Sequence, residues 1–275
     1  MAGIVLLTGA TGFVGKQIYK SLVQDGIRVR LVLRGAISDE FLAEPCVESC
    51  IITNDMFAES LEWWESACHG VEAIIHAAWY VEPEKYLDSP KNIDCLIGTL
   101  NLARAAVMTS VKKFIGIGTC FEYDLNHNYL SIDTPVAPRS LYAGTKVAAF
   151  YALRELFKNA KIDFAWARLF YLYGEGEKEN RFVPYLHDRL SAGLPVEMTS
   201  GVQIRDYLDV KTASRMIADI ACNNKIGPMN ICSGVPVSIK DMACKIAEEY
   251  GRKDLLMFGA KSLSSSEPLC VVGVV

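Results

Sequence analysis

Tyr142 and Lys146 stand four residues apart in Ser140-Leu141-Tyr142-Ala143-Gly144-Thr145-Lys146, at the opening of a helical pattern, so their side chains share one helical face. A free phenol ionises near pH 10 and carries protons poorly at neutral pH, but an adjacent ammonium favours phenolate and brings it toward working range. The pair is a candidate proton carrier with its supporting cation, although Tyr-x-x-x-Lys alone arises readily by chance. Thr119 closes the apolar run Lys113-Phe114-Ile115-Gly116-Ile117-Gly118-Thr119, which reads as a strand with a glycine-softened end. Open α/β sheets place reactive groups at strand C-termini. A β-branched residue that merely finishes a strand is the plain alternative.

Such groups need a sheet to hold them and a partner molecule to act with. Ile4-Val5-Leu6-Leu7-Thr8 runs into Gly9, Gly12 and Gly15 and then turns amphipathic, which predicts strand, tight turn and helix. Gly9 permits the bend, Gly12 lets backbone approach a pyrophosphate, and Gly15 lets the helix pack close. The amides of Thr11, Gly12, Phe13, Val14 and Gly15 then face the phosphates at the positive end of the helix. A Gly-rich turn without ligand is the bland alternative. The run Val29 to Gly35 predicts a second strand ending in Arg34, where dinucleotide folds test the adenosine ribose. A carboxylate there binds the 2′-hydroxyl of NAD, whereas an arginine pairs with the 2′-phosphate of NADP. Arg34 therefore points to NADP(H), with NAD(H) as the alternative and an exposed strand-end arginine as the plain reading. Ile51 to Asp55 and Val71 to Ala78 predict two more strands, the latter apolar as a strand covered on both faces should be. Its small end residues, Ala77 and Ala78, leave room for a cofactor. His76 reads as a satisfied core histidine.

The wording Thr8-Gly9-Ala10-Thr11-Gly12-Phe13-Val14-Gly15, the ending His76-Ala77-Ala78, Gly98-Thr99-Leu100-Asn101-Leu102 and the pair Tyr142/Lys146 together resemble the extended short-chain dehydrogenase/reductases of the NAD-dependent epimerase/dehydratase family. The resemblance covers nearly the whole chain. It implies a doubly wound α/β Rossmann sheet with a smaller C-terminal substrate-binding domain, divided here as residues 1–173 and 174–275. It places Thr119 at the family's catalytic Ser/Thr position, where a hydroxyl donates to a carbonyl oxygen. Lys146 then also holds the nicotinamide ribose. Asp55 would accept from the adenine amino group, with a helix N-cap as its alternative. Arg168-Leu169-Phe170-Tyr171-Leu172-Tyr173-Gly174 resembles the family's R-x-x-N-x-Y-G with Tyr171 where Asn, a sugar contact, is usual. Gly201 to Val210 resembles GxQxRDYxxV, whose Arg, here Arg205, meets the diphosphate of a nucleotide sugar; a structural ion pair is the alternative. The family continues past the strand at Glu267–Gly273 into another helix, and this chain ends at Val275.

Composition narrows the partners. The chain has 275 residues, a net charge of −4 and no Lys/Arg block to track nucleic acid. Its nine cysteines are scattered, with no C-x-x-C pair and no histidine nearby at zinc spacing, so neither a disulfide framework nor a metal site is expected. Reduced thiols suggest the cytoplasm, and no apolar segment reaches membrane-spanning length. Through the resemblance, the helix from Asn92 to Val107 and the Tyr-bearing helix imply a homodimer; a buried helix is the alternative.

The implied activity is that of an NADP(H)-dependent 4-ketoreductase of a nucleoside-diphosphate 4-keto-6-deoxy sugar. A nucleotide-sugar 4-epimerase would use the same residues, and a non-catalytic NADP-binding regulator could share the fold. The family's dehydratases follow the strand-end Thr with Asp and Glu, whereas Cys120 and Phe121 occupy those positions here. Alternation along an extended segment is expected to turn Glu122 away from the face of Phe121.

Overall fold

The computed structural model describes residues 3–35, 41, 43–264 and 267–275. The first half alternates strand and helix: β1 (Ile4–Thr8), α1 (Phe13–Gln24), β2 (Val29–Arg34), β3 (Val47–Thr53), α2 (Leu61–Cys68), β4 (Val71–His76), α3 (Lys91–Met108) and β5 (Lys113–Thr119). Next come β6 (Tyr129–Leu130), α4 (Leu141–Ala160), β7 (Asp163–Leu169) and β8 (Tyr171–Tyr173). The rest is α5 (Phe182–Ser191), β9 (Val196–Met198), β10 (Ile204–Asp209), α6 (Val210–Cys222), β11 (Gly227–Ile231), β12 (Pro236–Ser238), α7 (Ile239–Glu249), β13 (Leu256–Phe258) and β14 (Cys270–Gly273).

Seven of these strands form one parallel sheet in the order β11-β7-β5-β4-β1-β2-β3. The order reverses between β1 and β4, and a crevice opens at such a switch point beyond the strand C-termini. Alternation along β1 feeds two cores. Val5 and Leu7 pack with Ile18 and Leu22 of α1 and Ile217 of α6. Leu6 faces the other way, toward Leu102 of α3, Phe157 of α4, Phe114 and Trp166. β3 begins at Val47, four residues before the expected Ile51. As the edge strand it tolerates polar residues: Arg30 donates to Glu48 at 3.0 Å and to Ser49 at 3.2 Å.

Past Tyr173 the chain divides its residues between two places. One set builds the smaller layer: α5 and α7 pack together, β9 pairs with β13, and β10 lies between β12 and β14. Buried Asp206 ties that layer together by accepting from the amides of Ser233, Gly234 and Gly273. The other set, α6 and β11, returns to the large sheet, and Ser214 Oγ donates to the Val14 carbonyl at 3.2 Å. Among the described residues no helix is long and apolar enough to cross a membrane.

Candidate active site

At the end of β1 the chain bends at Gly9, whose φ is +78°. A Cβ there would lie 2.8 Å from the Ala78 amide nitrogen, and one on Gly15 would lie 2.0 Å from the Gly9 carbonyl oxygen. The turn and the end of β4 thus touch backbone to backbone, which only glycine allows. Gly12 is the N-cap of α1 and supplies no side-chain hydrogen bond, so the amides of that first turn keep their donors for a ligand. Behind the turn, Thr99 Oγ donates to the Cys95 carbonyl at 2.7 Å and so accepts from His76 Nε2 at 2.9 Å. His76 Nδ1 in turn accepts from Thr8 Oγ at 2.9 Å, and Thr8 Oγ accepts from the Ala78 amide at 3.2 Å. Burial, reinforced by Lys146, pushes the His76 pKa down to about 3, so the ring is neutral and structural.

One cavity of about 680 Å³ is lined by Gly9, Thr11, Gly12, Phe13, Val14, Gly15, Arg34, Asp55, Ala77, Ala78, Thr119, Tyr142, Lys146, Tyr171 and Arg205. Every residue assigned a cofactor, catalytic or substrate contact from the sequence therefore lines the same space. Arg34 sits exposed at its rim with no ion pair among the described residues. Asp55 caps the turn Met56–Ala58 by accepting from the Phe57 amide at 3.0 Å while also lining the cavity. The uncapped helix and the glycine cradle fit a dinucleotide.

Ser140 caps α4, accepting from the Ala143 amide at 3.2 Å, and so sets Tyr142 and Lys146 in the first two turns. Both are buried. Lys146 Nζ donates to the Ile117 carbonyl at 2.6 Å and lies 3.7 Å from the centre of the Trp79 ring. Burial draws its pKa down to about 7, against the pull of Glu122 and Cys95. Tyr142 packs edge-on against Tyr86 at 4.9 Å. Burial raises its pKa well above the ordinary tyrosine range, with Tyr86, Glu122 and Cys120 adding to it and a hydrogen bond with Thr119 opposing. This corrects the expected role of Lys146. Its ammonium, 6.0 Å from the phenol ring centre and turned to Ile117, is not what governs the phenol, which is neutral at physiological pH.

Glu122 is a second correction. The chain after Thr119 is not extended but makes a turn of 3₁₀ helix, Cys120–Glu122, closed by a capping box. The Phe121 amide donates to Thr119 Oγ, and the Glu122 carboxylate folds back to accept from the Thr119 amide at 2.8 Å. Glu122 is fully buried, ion-paired with Arg168 at 2.7 Å. Cys120 is buried too, its thiol pushed up to about 12 by desolvation.

On the far side of the cavity the ion pair that the sequence left open is present: Arg205 donates to Glu267 at 2.7 Å and packs over Tyr171 at 5.2 Å. Phe182 stacks on Tyr207 beside them. Several lining residues escape sequence reasoning, among them Trp79, Tyr86, Glu177 and Arg181. Glu177 Oε2 is buried without a hydrogen-bond partner, and desolvation raises that carboxyl to about 7. Its polar loop reads only as a boundary.

A doubly wound sheet carrying a glycine cradle and a Thr-Tyr-Lys set at its switch point defines an enzyme of the short-chain dehydrogenase/reductase superfamily. Residues 5–232 match the model of the NAD dependent epimerase/dehydratase family, and the chain belongs to that family. The dTDP-6-deoxy-L-talose 4-dehydrogenase (NAD(+)) of Aggregatibacter actinomycetemcomitans is 24% identical over 90% of this chain and 91% of its own length. The CDP-abequose synthase of Salmonella typhimurium is 29% identical over 93% of this chain and 84% of its own. Among solved structures, MoeE5 in complex with UDP-glucose and NAD superposes with a TM-score of 0.82 at 24% identity, covering 99% of this chain and 90% of that one. The UDP-N-acetylglucosamine 4-epimerase from Methanobrevibacter ruminantium M1 gives 0.84 at 20%, covering 99% and 89%. These two superpositions share the fold.

Proposed function

We propose that the protein is an NADP(H)-dependent reductase acting on the 4-keto group of a nucleoside-diphosphate 4-keto-6-deoxy sugar. The observation that carries this is the gathering of Thr119, Tyr142 and Lys146 in one cavity whose neighbouring positions, Cys120 and Phe121, offer no acid or base for elimination. NADPH, when bound, supplies the hydride. Thr119 donates to the substrate carbonyl oxygen, and Tyr142, neutral at physiological pH, gives that oxygen its proton. Lys146 holds the nicotinamide ribose and steadies the phenolate left behind.

Arg34, exposed at the end of β2 and lining the cavity, supports NADP over NAD. Arg205 serves the substrate diphosphate, which must share it with Glu267, and Tyr171 serves the sugar. The relatives named for a dTDP-6-deoxy sugar and a CDP-sugar support the substrate class. The retained Thr-Tyr-Lys set speaks against a binding-only regulator. Exposed Ile93, Ile97 and Met108 on α3 and Leu141 and Tyr151 on α4 support a homodimer, and the nine free thiols support a reducing cytoplasm.

The test is NADPH consumption with a panel of nucleoside-diphosphate 4-keto-6-deoxy sugars, using the parent and Tyr142→Phe. Stoichiometric oxidation that Tyr142→Phe abolishes, with cofactor affinity kept within about threefold, is expected, since the variant deletes the proton carrier and little else. Interconversion of 4-epimers without net NADPH consumption would replace the reductase by an epimerase.

A further inference from the structure

Glu122 has no place in the proton transfer just described, yet the end of β5 is built around it. A Cβ on Gly118 would lie 2.5 Å from Glu122 Oε1 and 2.3 Å from Trp166 Nε1, so that glycine exists to admit the two side chains. Trp166 Nε1 donates to both carboxylate oxygens, at 3.0 and 3.1 Å. Arg168 Nε donates to Oε2 at 2.7 Å, which leaves Oε1 on the side of Thr119, whose amide it accepts. Arg168 continues to the Tyr123 hydroxyl at 3.0 Å and Tyr123 to Asn230 at 2.7 Å, so the carboxylate is braced from behind. The indole that grips it presents its ring to Lys146, whose Nζ is 5.9 Å from the ring centre.

We propose that Glu122 is a positioning residue for the Thr119–Tyr142–Lys146 set: it fixes Thr119 through the backbone amide, and through the Trp166 indole that it grips it brings a negative charge toward the buried Lys146. A fully buried carboxylate costs several kcal/mol unless paired. The pairing with Arg168 makes it tenable, and the remaining field acts on the groups around it. Of the titratable groups facing Lys146, the Glu122 carboxylate favours the charged form, while the Cys95 thiol, raised to about 11 by burial, and His76 are uncharged. Those facing Tyr142 are Tyr86 and Cys120, both raised by burial and uncharged near neutral pH, and Glu122, whose carboxylate favours the neutral phenol. An ammonium beside a neutral phenol is the state from which a proton is delivered to a ketone. The assignment rests on Thr119, Tyr142 and Lys146 being the reacting set.

The experiment is a titration of the protein labelled with ¹³C at lysine Cε, with Lys146→Met identifying the resonance. It is run on the parent, on Glu122→Gln, and on Glu122→Gln/Arg168→Met, which leaves no unpaired buried cation should the single variant fail to fold. The parent midpoint is expected near 7. It should fall by about one pH unit in the variants, the size of effect that a close opposite charge exerts. The alkaline limb of kcat for ketone reduction should move by the same amount, with KM for the sugar changed less than about threefold, because only the approach to the transition state is altered. A midpoint unchanged in whichever variant folds overturns the proposal. Failure to reduce any nucleotide 4-keto sugar would instead overturn the reductase assignment, and the substrate-free titration would still decide the role of Glu122.

Discussion

The ammonium of Lys146 stands 3.7 Å above the ring of Trp79, in a place with almost no access to water. Its pKa of about 7 in the folded chain lies below the ordinary 10.5, so the folded state binds that proton less readily than the unfolded one. The cost to stability is complete below about pH 7 and vanishes as pH rises to 10.5. Lys146→Met should lose turnover yet gain stability on the order of 2 kcal/mol at pH 6.5, a trade common at active sites. Urea unfolding at pH 6.5 and pH 10 checks it: a variant no more stable at the lower pH refutes the prediction.

Arg34→Ala should narrow the preference for NADPH over NADH by about 10- to 100-fold, the worth of one charge-assisted pairing with a 2′-phosphate. Affinities from cofactor fluorescence decide it. Equal affinity of the parent for both cofactors would remove Arg34 from recognition.

No dehydration of a nucleoside-diphosphate glucose is expected. Elimination across C5 and C6 needs one group to take a proton and another to give one. The Cys120 thiol is held near 12, Phe121 carries no proton, and Glu122 is committed to Arg168 and Trp166. Incubation with the glucose nucleotide and oxidised cofactor should leave it unchanged, and any 4-keto-6-deoxy product would contradict this.

Glu177→Gln should stabilise the ligand-free protein above about pH 4.5 and not below it. A carboxyl raised to about 7 costs nothing below about pH 4.5, and its cost grows until pH passes 7, where an unpartnered oxygen remains charged. The gain at pH 8 should be about 1–2 kcal/mol, read as a shift in the urea midpoint that is absent at pH 4.5. An equal shift at both pH values would count against it.

Gly98→Ala should destabilise by about 1–3 kcal/mol, since the new methyl would lie 2.5 Å from the Phe57 Cα. Backbone at that distance cannot swing aside as a flexible side chain would. Thermal unfolding of the variant measures it, and an unchanged midpoint would show that α3 can shift.

The glycines of the first turn are legible in the sequence because backbone contacts dictate them: Gly9 and Gly15 each face a main-chain atom that any Cβ would strike. Tyr142 and Lys146 are legible through helical spacing. What Lys146 touches is not, since Ile117 and Trp79 reach it from other elements. Glu122 is misread because apolar alternation in β5 suggests that the strand continues. The signal that could have found it is the capping-box spacing Thr119-Cys120-Phe121-Glu122, which marks a turn whatever its apolar content. The polar start of β3 is hidden for a different reason: an edge strand need not look like a buried one.

The return of α6 to the large sheet sets a condition on how the chain can be made. Ala213, Ile217 and Ala221 cover the face of the sheet that β1 and α1 begin, some 200 residues earlier, and the Val14 carbonyl waits for Ser214. A nascent chain that has emerged only as far as residue 173 still shows bare apolar surface beside its glycine turn. Contacts of such long sequence separation form late, because the loop between them must close first. The glycine turn and the helix that backs it are some 200 residues apart, so the apolar surface beside the turn stays open to chaperones and proteases until α6 has been made.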